Sequence, residues 1–114
     1  LIILSMAIGA NSGSQVVARM RRNLDSVDSY PGNGTAVGSR SSGFLMMQLP
    51  NAAFMQSTVY TFLDSPASTL EATYNVQVRC ETAAQVYVGY TYTDTDNVNF
   101  GRAGASITLM EILA

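Results

Sequence analysis

The sequence predicts an all-β domain, an antiparallel β-sandwich of about eight strands, and three observations carry that prediction. Apolar and polar residues alternate with period two through much of the chain, no stretch holds a convincing helical period, and turn-forming clusters recur at short intervals. With 114 residues and 12.2 kDa there is material for one hydrophobic core and too little for two. One domain over residues 1–114 is expected. The chain opens on Leu1 rather than Met, so a longer chain is expected to precede it.

The first element is "LIILSMAIGA", whose run of about eight apolar residues is too short to cross a bilayer and lacks the basic flank of a signal peptide. It is expected as a buried strand over residues 1–8. The next strand covers 15–23: "ARMRRNL" has no N-cap and stops within two turns at Asp25, which argues against a helix. Further strands are expected near 43–49 and over 57–64. In "TYNVQVRC", Tyr74, Val76, Val78 and Cys80 share one face while Thr73, Asn75, Gln77 and Arg79 share the other, as in a half-buried antiparallel strand. "QVYVGYTY" follows the polar link "ETAA", with Val86, Val88, Tyr90 and Tyr92 on one face, and is expected to form a hairpin with it. The last strand is expected over 105–113. Between these elements lie "GANSGS", "SYPGNGT", "LPNA", "DSPAS" and "TDTDNVNFG", rich in residues that tolerate turn dihedrals.

Several strands are apolar on both faces. "STVYTFLD" sets Val59 and Leu63 against Tyr60 and Phe62, the ending sets Ile107 and Leu109 against Met110 and Ile112, and "LIILSMAI" is similar. The apolar run continues through Leu113, although chain ends usually fray into polar residues. Only 12% of residues are charged, against about 25% in ordinary globular domains. A monomer with this pattern exposes apolar surface of the kind that marks an interaction face, and self-association is the expected cover. Tyr60, Phe62, Tyr87, Met110 and Ile112 are the expected contacts. The final strand is expected to lie centrally, one face in the core and the other against neighbouring copies.

Charge and residue content narrow the function. There is no lysine and no histidine, and six arginines stand against eight acidic residues for a net charge of −2. No basic field exists to gather nucleic acid, and no membrane insertion is expected. Arg19 and Arg21 share a strand face that could hold a carboxylate or phosphate, although a solvated strand edge is the commoner use of such a pair. Cys80 is alone, so no intrachain disulfide or thiolate metal site is available, and the missing histidine removes the usual base and zinc ligand. Asp94 and Asp96 have the two-residue spacing of a calcium loop, with Asn97 and Asn99 nearby, but lack the glycine and distal glutamate of an EF-hand. They are weak metal candidates, and no metal or cofactor is expected. Asp64, Glu71, Glu81 and Glu111 sit in or beside different strands with no pair for acid–base work, so no enzymatic role is expected. Asn33-Gly34-Thr35 fits both a glycosylation sequon and an Asn-Gly turn. Met46, Met47, Met55 and Met110 suit core or interface filling, and the tyrosines of "VYVGYTYTD" suit cross-strand packing or stacking on sugar rings. Recognition is expected in the loops 25–42 and 93–101.

From Ser57 onward the order of segments resembles the C-terminal domains of virion structural and fibre proteins of tailed phages. Those chains similarly run a "FLDSP" turn, a "TY-x-V/I-Q" strand, a "VY" strand, a polar acidic loop, a "GR" and a final "S-x-ITxMEI" strand. Here the matching positions are Phe62 to Pro66, Thr73 to Gln77, Val86 to Tyr87, Gly101 to Arg102 and Ser106 to Ile112. "ARMRRN" with "VGS" downstream echoes earlier strands of that family. Where the family places Asn-Arg after the "VY" pair, this chain has Gly89 and Tyr90. The resemblance implies a jelly-roll head similar to the tumour necrosis factor fold, closed as a homotrimer with the last strand near the axis. It also implies a place on the virion, on tail or capsid, with other virion proteins and a host-surface glycan or protein as partners. A capsid-decorating protein, or a carbohydrate-binding module of a larger enzyme, would make similar demands on the chain. A glycan-cleaving tail enzyme would need carboxylates brought together between subunits.

Overall fold

A computed structural model describes residues 1–81 and 85–112. Leu113 and the Thr82–Ala84 part of the expected link lie outside the described residues. The described residues form eight strands in two antiparallel sheets: β1 (Ile2–Ala10), β2 (Gln15–Leu24), β3 (Val27–Ser29), β4 (Leu45–Gln48), β5 (Met55–Phe62), β6 (Ala72–Cys80), β7 (Val86–Val88) and β8 (Ser106–Leu109). There is no helix among the described residues.

Both sheets have the same plan, a long central strand with one full-length neighbour and two short ones in line on the other edge. In sheet A, β1 pairs with β5 from Ile2↔Phe62 to Gly9↔Met55, and its other edge holds β8 at Ile2–Ser5 and β7 at Ile8–Ala10. In sheet B, β2 pairs with β6 from Val16↔Cys80 to Leu24↔Ala72, and its other edge holds β4 and β3. Strand alternation then decides the core. Leu4, Met6, Ile8 and Ala10 from β1 meet Val16 and Ala18 from β2, with Met47, Leu49 and the half-buried Val76, Val78 and Val86 around them. The two sheets therefore face each other as a β-sandwich.

Several sequence expectations are corrected by this topology. "TYNVQVRC" and the "VYV" strand do not form a hairpin, because β6 joins sheet B through β2 while β7 joins sheet A through β1. β7 stops at Val88, since Gly89 takes φ 87°, a left-handed conformation that breaks the extended run and is open to glycine at little cost. Tyr90 and Tyr92 thus lie outside any strand. The β2–β3 hairpin was not expected, because its two-residue turn is Asp25-Ser26 rather than a glycine-containing pair. Both residues carry positive φ, 49° and 65°, as in the primed turns that match strand twist. β8 is an edge strand beside β1 and not a central one.

Tyr60 and Phe62 are also relocated. Their register partners on β1 are Leu4 and Ile2, so both side chains point into the sandwich, and Tyr60 stacks on Phe44 at 4.3 Å. The Tyr60 hydroxyl donates to the Gly32 carbonyl at 2.8 Å, tying the loop after β3 to sheet A. Burial pushes its pKa above the ordinary tyrosine value. The face of β5 that meets solvent is that of Val59, with Leu63 just beyond the strand, 70% and 63% exposed.

Two polar devices hold the sheets in place. Between β3 and β4 the edge of β2 lacks a strand partner at Met20, and the Asn33 side chain supplies it: its Oδ1 accepts from the Met20 N–H at 3.1 Å and its Nδ2 donates to the Met20 carbonyl at 2.9 Å. That commitment makes Asn33 a structural residue of the turn. At the far end, Arg22 falls on the inner face of β2, between Ser29 and Tyr74 on its neighbours. Its Nη1 donates to both carboxylate oxygens of Asp64, at 2.8 and 2.7 Å, and its Nε donates to Ser29 Oγ at 3.1 Å. The Tyr74 hydroxyl donates to Asp64 Oδ2 at 2.7 Å. Asp64 follows β5 of sheet A while Arg22 and Tyr74 belong to sheet B, so the cluster clamps the sheets together. The hydrogen bond to Asp64 raises the Arg22 pKa, and burial followed by the same carboxylate raises that of Tyr74.

Replacing Asn33 with Ala should lower stability by about 2 kcal/mol, because two buried backbone groups of Met20 lose their partners. Asp64→Asn should cost about 3 kcal/mol by leaving the Arg22 charge uncompensated in a largely buried site, whereas Tyr74→Phe should cost about 1 kcal/mol. Urea unfolding of the three variants checks these values, and an Asp64 effect no larger than that of Tyr74 would mean the clamp is solvated.

Candidate functional site

The outer faces of the two sheets differ in chemistry. The four strands of sheet A contain no charged residue on either face, whereas sheet B carries Arg19, Arg21, Arg22, Asp28 and Arg79. With Arg22 turned inward, the other four sit on the outer face. Arg21 donates to Asp28 across the β2–β3 hairpin, and this pairing holds the Asp28 carboxyl below the ordinary range.

Arg19 and Arg79 lie in a cleft of about 720 Å³ between sheet B and the loop that leads to β4. Its floor is Val17 and Arg19 of β2 with Gln77 and Arg79 of β6, which the register places side by side as Val17↔Arg79 and Arg19↔Gln77. Its roof is Ala36, Arg40, Ser41 and Ser42. The loop is held across the sheet by Asn33 at one end, by the Gly34 N–H donating to Gly43 at 3.1 Å, and by the Phe44 N–H donating to Ala18 at 3.0 Å.

Arg19 Nε donates to Gln77 Oε1 at 2.7 Å, and its guanidinium lies over the Tyr30 ring at 4.2 Å. Arg79 Nη2 donates to Ser41 Oγ at 2.7 Å and to Glu81 Oε1 at 2.6 Å. Hydrogen bonds from Ser41 and then Arg79 hold the Glu81 carboxyl below its ordinary value. A lowered carboxyl pKa means that this linkage stabilises the roof above the ordinary carboxylate range and is lost only as pH falls through the lowered value. The rim therefore keeps its charge pattern in mildly acidic solution. The Arg40 side chain has no hydrogen bond or ion pair among the described residues. Three guanidiniums with spare donors line this cleft with the Gln77 amide nitrogen, while the Ser41 and Ser42 hydroxyls already donate to Glu81 and to the Gly34 carbonyl, a set suited to an anionic group.

The other site residues expected from sequence are dispersed. Tyr87 is on the outer face of sheet A opposite Gly9, but Tyr90 and Tyr92 pack over it with ring centroids at 4.7 and 5.9 Å. Their rings tilt by 48° and 55° to it, so they form a cluster and not a flat platform. Gly9 permits this cover, since a Cβ there would lie 2.3 Å from the Tyr90 carbonyl oxygen. Met110 and Ile112 are 51% and 60% exposed and line, with Leu63, a cleft of about 620 Å³ beside Asp64. The Met110 backbone pairs with Leu1, its N–H donating to the Leu1 carbonyl at 2.8 Å. Asp94 accepts from Arg102 at 2.6 Å, and no group of three or more metal-ligating side chains occurs among the described residues. Arg40 was not singled out in the sequence, where it stands alone between Ser39 and Ser41. No protein-family model, curated protein or solved structure matches this chain.

Proposed function

We propose that this domain is a non-enzymatic virion structural module of a tailed phage, the trimeric jelly-roll head of a fibre or spike that meets the host surface. The observation that carries the reading is the half of the outer face of sheet A away from Tyr87, which holds no charged residue, whereas the Tyr87 end is covered by Tyr90 with Arg102 over its ring. Ile3, Ser5, Val59, Thr61, Ser106 and Thr108 lie across it by register, with Leu63 at its border. A face without charge is quickly desolvated and has no ion to bury, which is what a permanent contact between copies needs.

The amount of surface agrees. The chain exposes 7198 Å², against about 6,100 Å² expected of a monomer of this mass. Its radius of gyration is 15.7 Å where about 13 Å is usual for this length. The excess, roughly 1,100 Å², belongs to a chain more open than a self-contained domain of this mass. The sandwich is also open along one side, where the edges of β6 and β8 that face no strand among the described residues flank an apolar groove of about 340 Å³ reaching Leu4, Met6 and Val76. The number of copies and the phage setting rest on the resemblance through "FLDSP", "TYNVQ" and "SITLMEI". With one sheet turned to its copies, the other sheet and its loops face outward, as attachment requires.

Sedimentation equilibrium of the protein should give three times the 12.2 kDa of the chain. Val59→Asp or Thr108→Asp, each placing a charge in the uncharged face, should shift the mass to that of one chain, since burying an unpaired carboxylate costs several kcal/mol. Thr73→Asp, on the outer face of sheet B, should leave it unchanged. A wild-type protein that sediments as a single chain would sink the trimer.

A further inference from the structure

The geometry points to the cleft under the 36–42 loop as a binding site for an acidic sugar, a pyranose carrying a carboxylate, with Arg40 and Arg19 as its charge anchors. This inference rests on the attachment reading above and names the chemistry of the surface that such a head would bind. Three of the chain's six arginines line this one cleft, in a molecule whose net charge is −2. Arg79 is partly neutralised by Glu81, but Arg40 is unpaired among the described residues and Arg19 uses only Nε, on Gln77. Arg19 is also held in place by the Tyr30 ring beneath it, so its outer nitrogens are presented without a loss of side-chain freedom on binding. A guanidinium offers parallel N–H donors that match a carboxylate.

The remaining lining selects a sugar over a bare anion. The Gln77 amide nitrogen, with its oxygen held by Arg19, and the Ser42 hydroxyl, which donates to the Gly34 carbonyl and can still accept, are placed for ring hydroxyls, while Ala36 supplies apolar surface for the C–H face of a pyranose. The volume, about 720 Å³, lies in the usual range for clefts that hold small ligands. A nucleic acid fits poorly. Asp28 and Glu81 flank the arginines, there is no lysine, and the nearby ring of Tyr30 is already covered by Arg19.

The test is calorimetric titration of the whole protein with tri-galacturonate, with neutral maltotriose and with inorganic phosphate, on samples whose sedimentation is also measured. Tri-galacturonate should bind at least about tenfold more tightly than either control, and Arg40→Ala should weaken it by about tenfold or more. Because Arg40 holds no other side chain among the described residues, its replacement should leave the unfolding midpoint unchanged, and Arg40→Lys should recover part of the affinity. Equal binding of maltotriose, phosphate binding as tight as that of the sugar acid, or an Arg40→Ala variant with full affinity would each overturn the site. A single-chain species that still binds the acid would overturn the assembly alone and support the site. An assembled protein that binds none would overturn the site alone.

Discussion

An arginine on the inner face of a sandwich has to be neutralised where it stands, and the rest of this structure is arranged around that constraint. Arg22 belongs to the same face of β2 as Val16, Ala18 and Met20, and the strand carries it to the end of the core where Asp64 meets it. Because Asp64 comes from the other sheet, the ion pair sets how closely the sheets approach at that end and where the chain leaves β5. Ser29 and Tyr74, its cross-strand neighbours, complete the shell, so the polar cluster is satisfied within itself. The opposite end is closed without charge: Leu49, 1% exposed, is held beside the β1–β2 turn by the Leu49 N–H donating to Ser14 and the Gly13 N–H donating to Leu49. One end is a salt bridge and the other a hydrophobic plug.

Between those ends the chain divides its chemistry by sheet. The low charge content is not spread evenly over the surface, since sheet A has no charged residue and the outer face of sheet B has four. Such a division has little bearing on the stability of one copy, because exposed ion pairs contribute little. It matters for association, where a face without ions loses its water at small cost and a face with arginines does not. The same division gives the proposed assembly a direction, with copies meeting through sheet A and ligand presented on sheet B.

The cleft shows how a sheet can hold a long loop across its outer face. The 34–43 segment crosses sheet B because the gap between β3 and β4 leaves Met20 to Asn33, and Asn33 starts the loop from a fixed point. Ser41 then reaches Arg79 and Glu81 on β6, closing the span. Arg40, one residue away, lines the cleft with no hydrogen bond or ion pair to its side chain among the described residues.

Local pattern was enough to establish the all-β class and most of the strands. "TYNVQVRC" reads as a strand because every second residue is apolar, and "ARMRRNL" reads as one because nothing in it caps or prolongs a helix. The two-faced apolarity of "STVYTFLD" was legible too, but which face is buried was not: Tyr60 turns inward because β5 registers Leu4 against it, and register is a property of the pair. The same limit hid the absence of a β6–β7 hairpin, which depends on β6 and β7 choosing different central strands, and the β2–β3 hairpin, whose Asp25-Ser26 turn has ordinary residues in left-handed conformations. Of the site, sequence alone offered Arg19 on a strand face. Alternation along one strand shows what shares a face with its neighbours in the chain, but Arg40 and Arg79 are brought to Arg19 by pairing and by a loop held at both ends, contacts between residues far apart in sequence that only the folded chain can make.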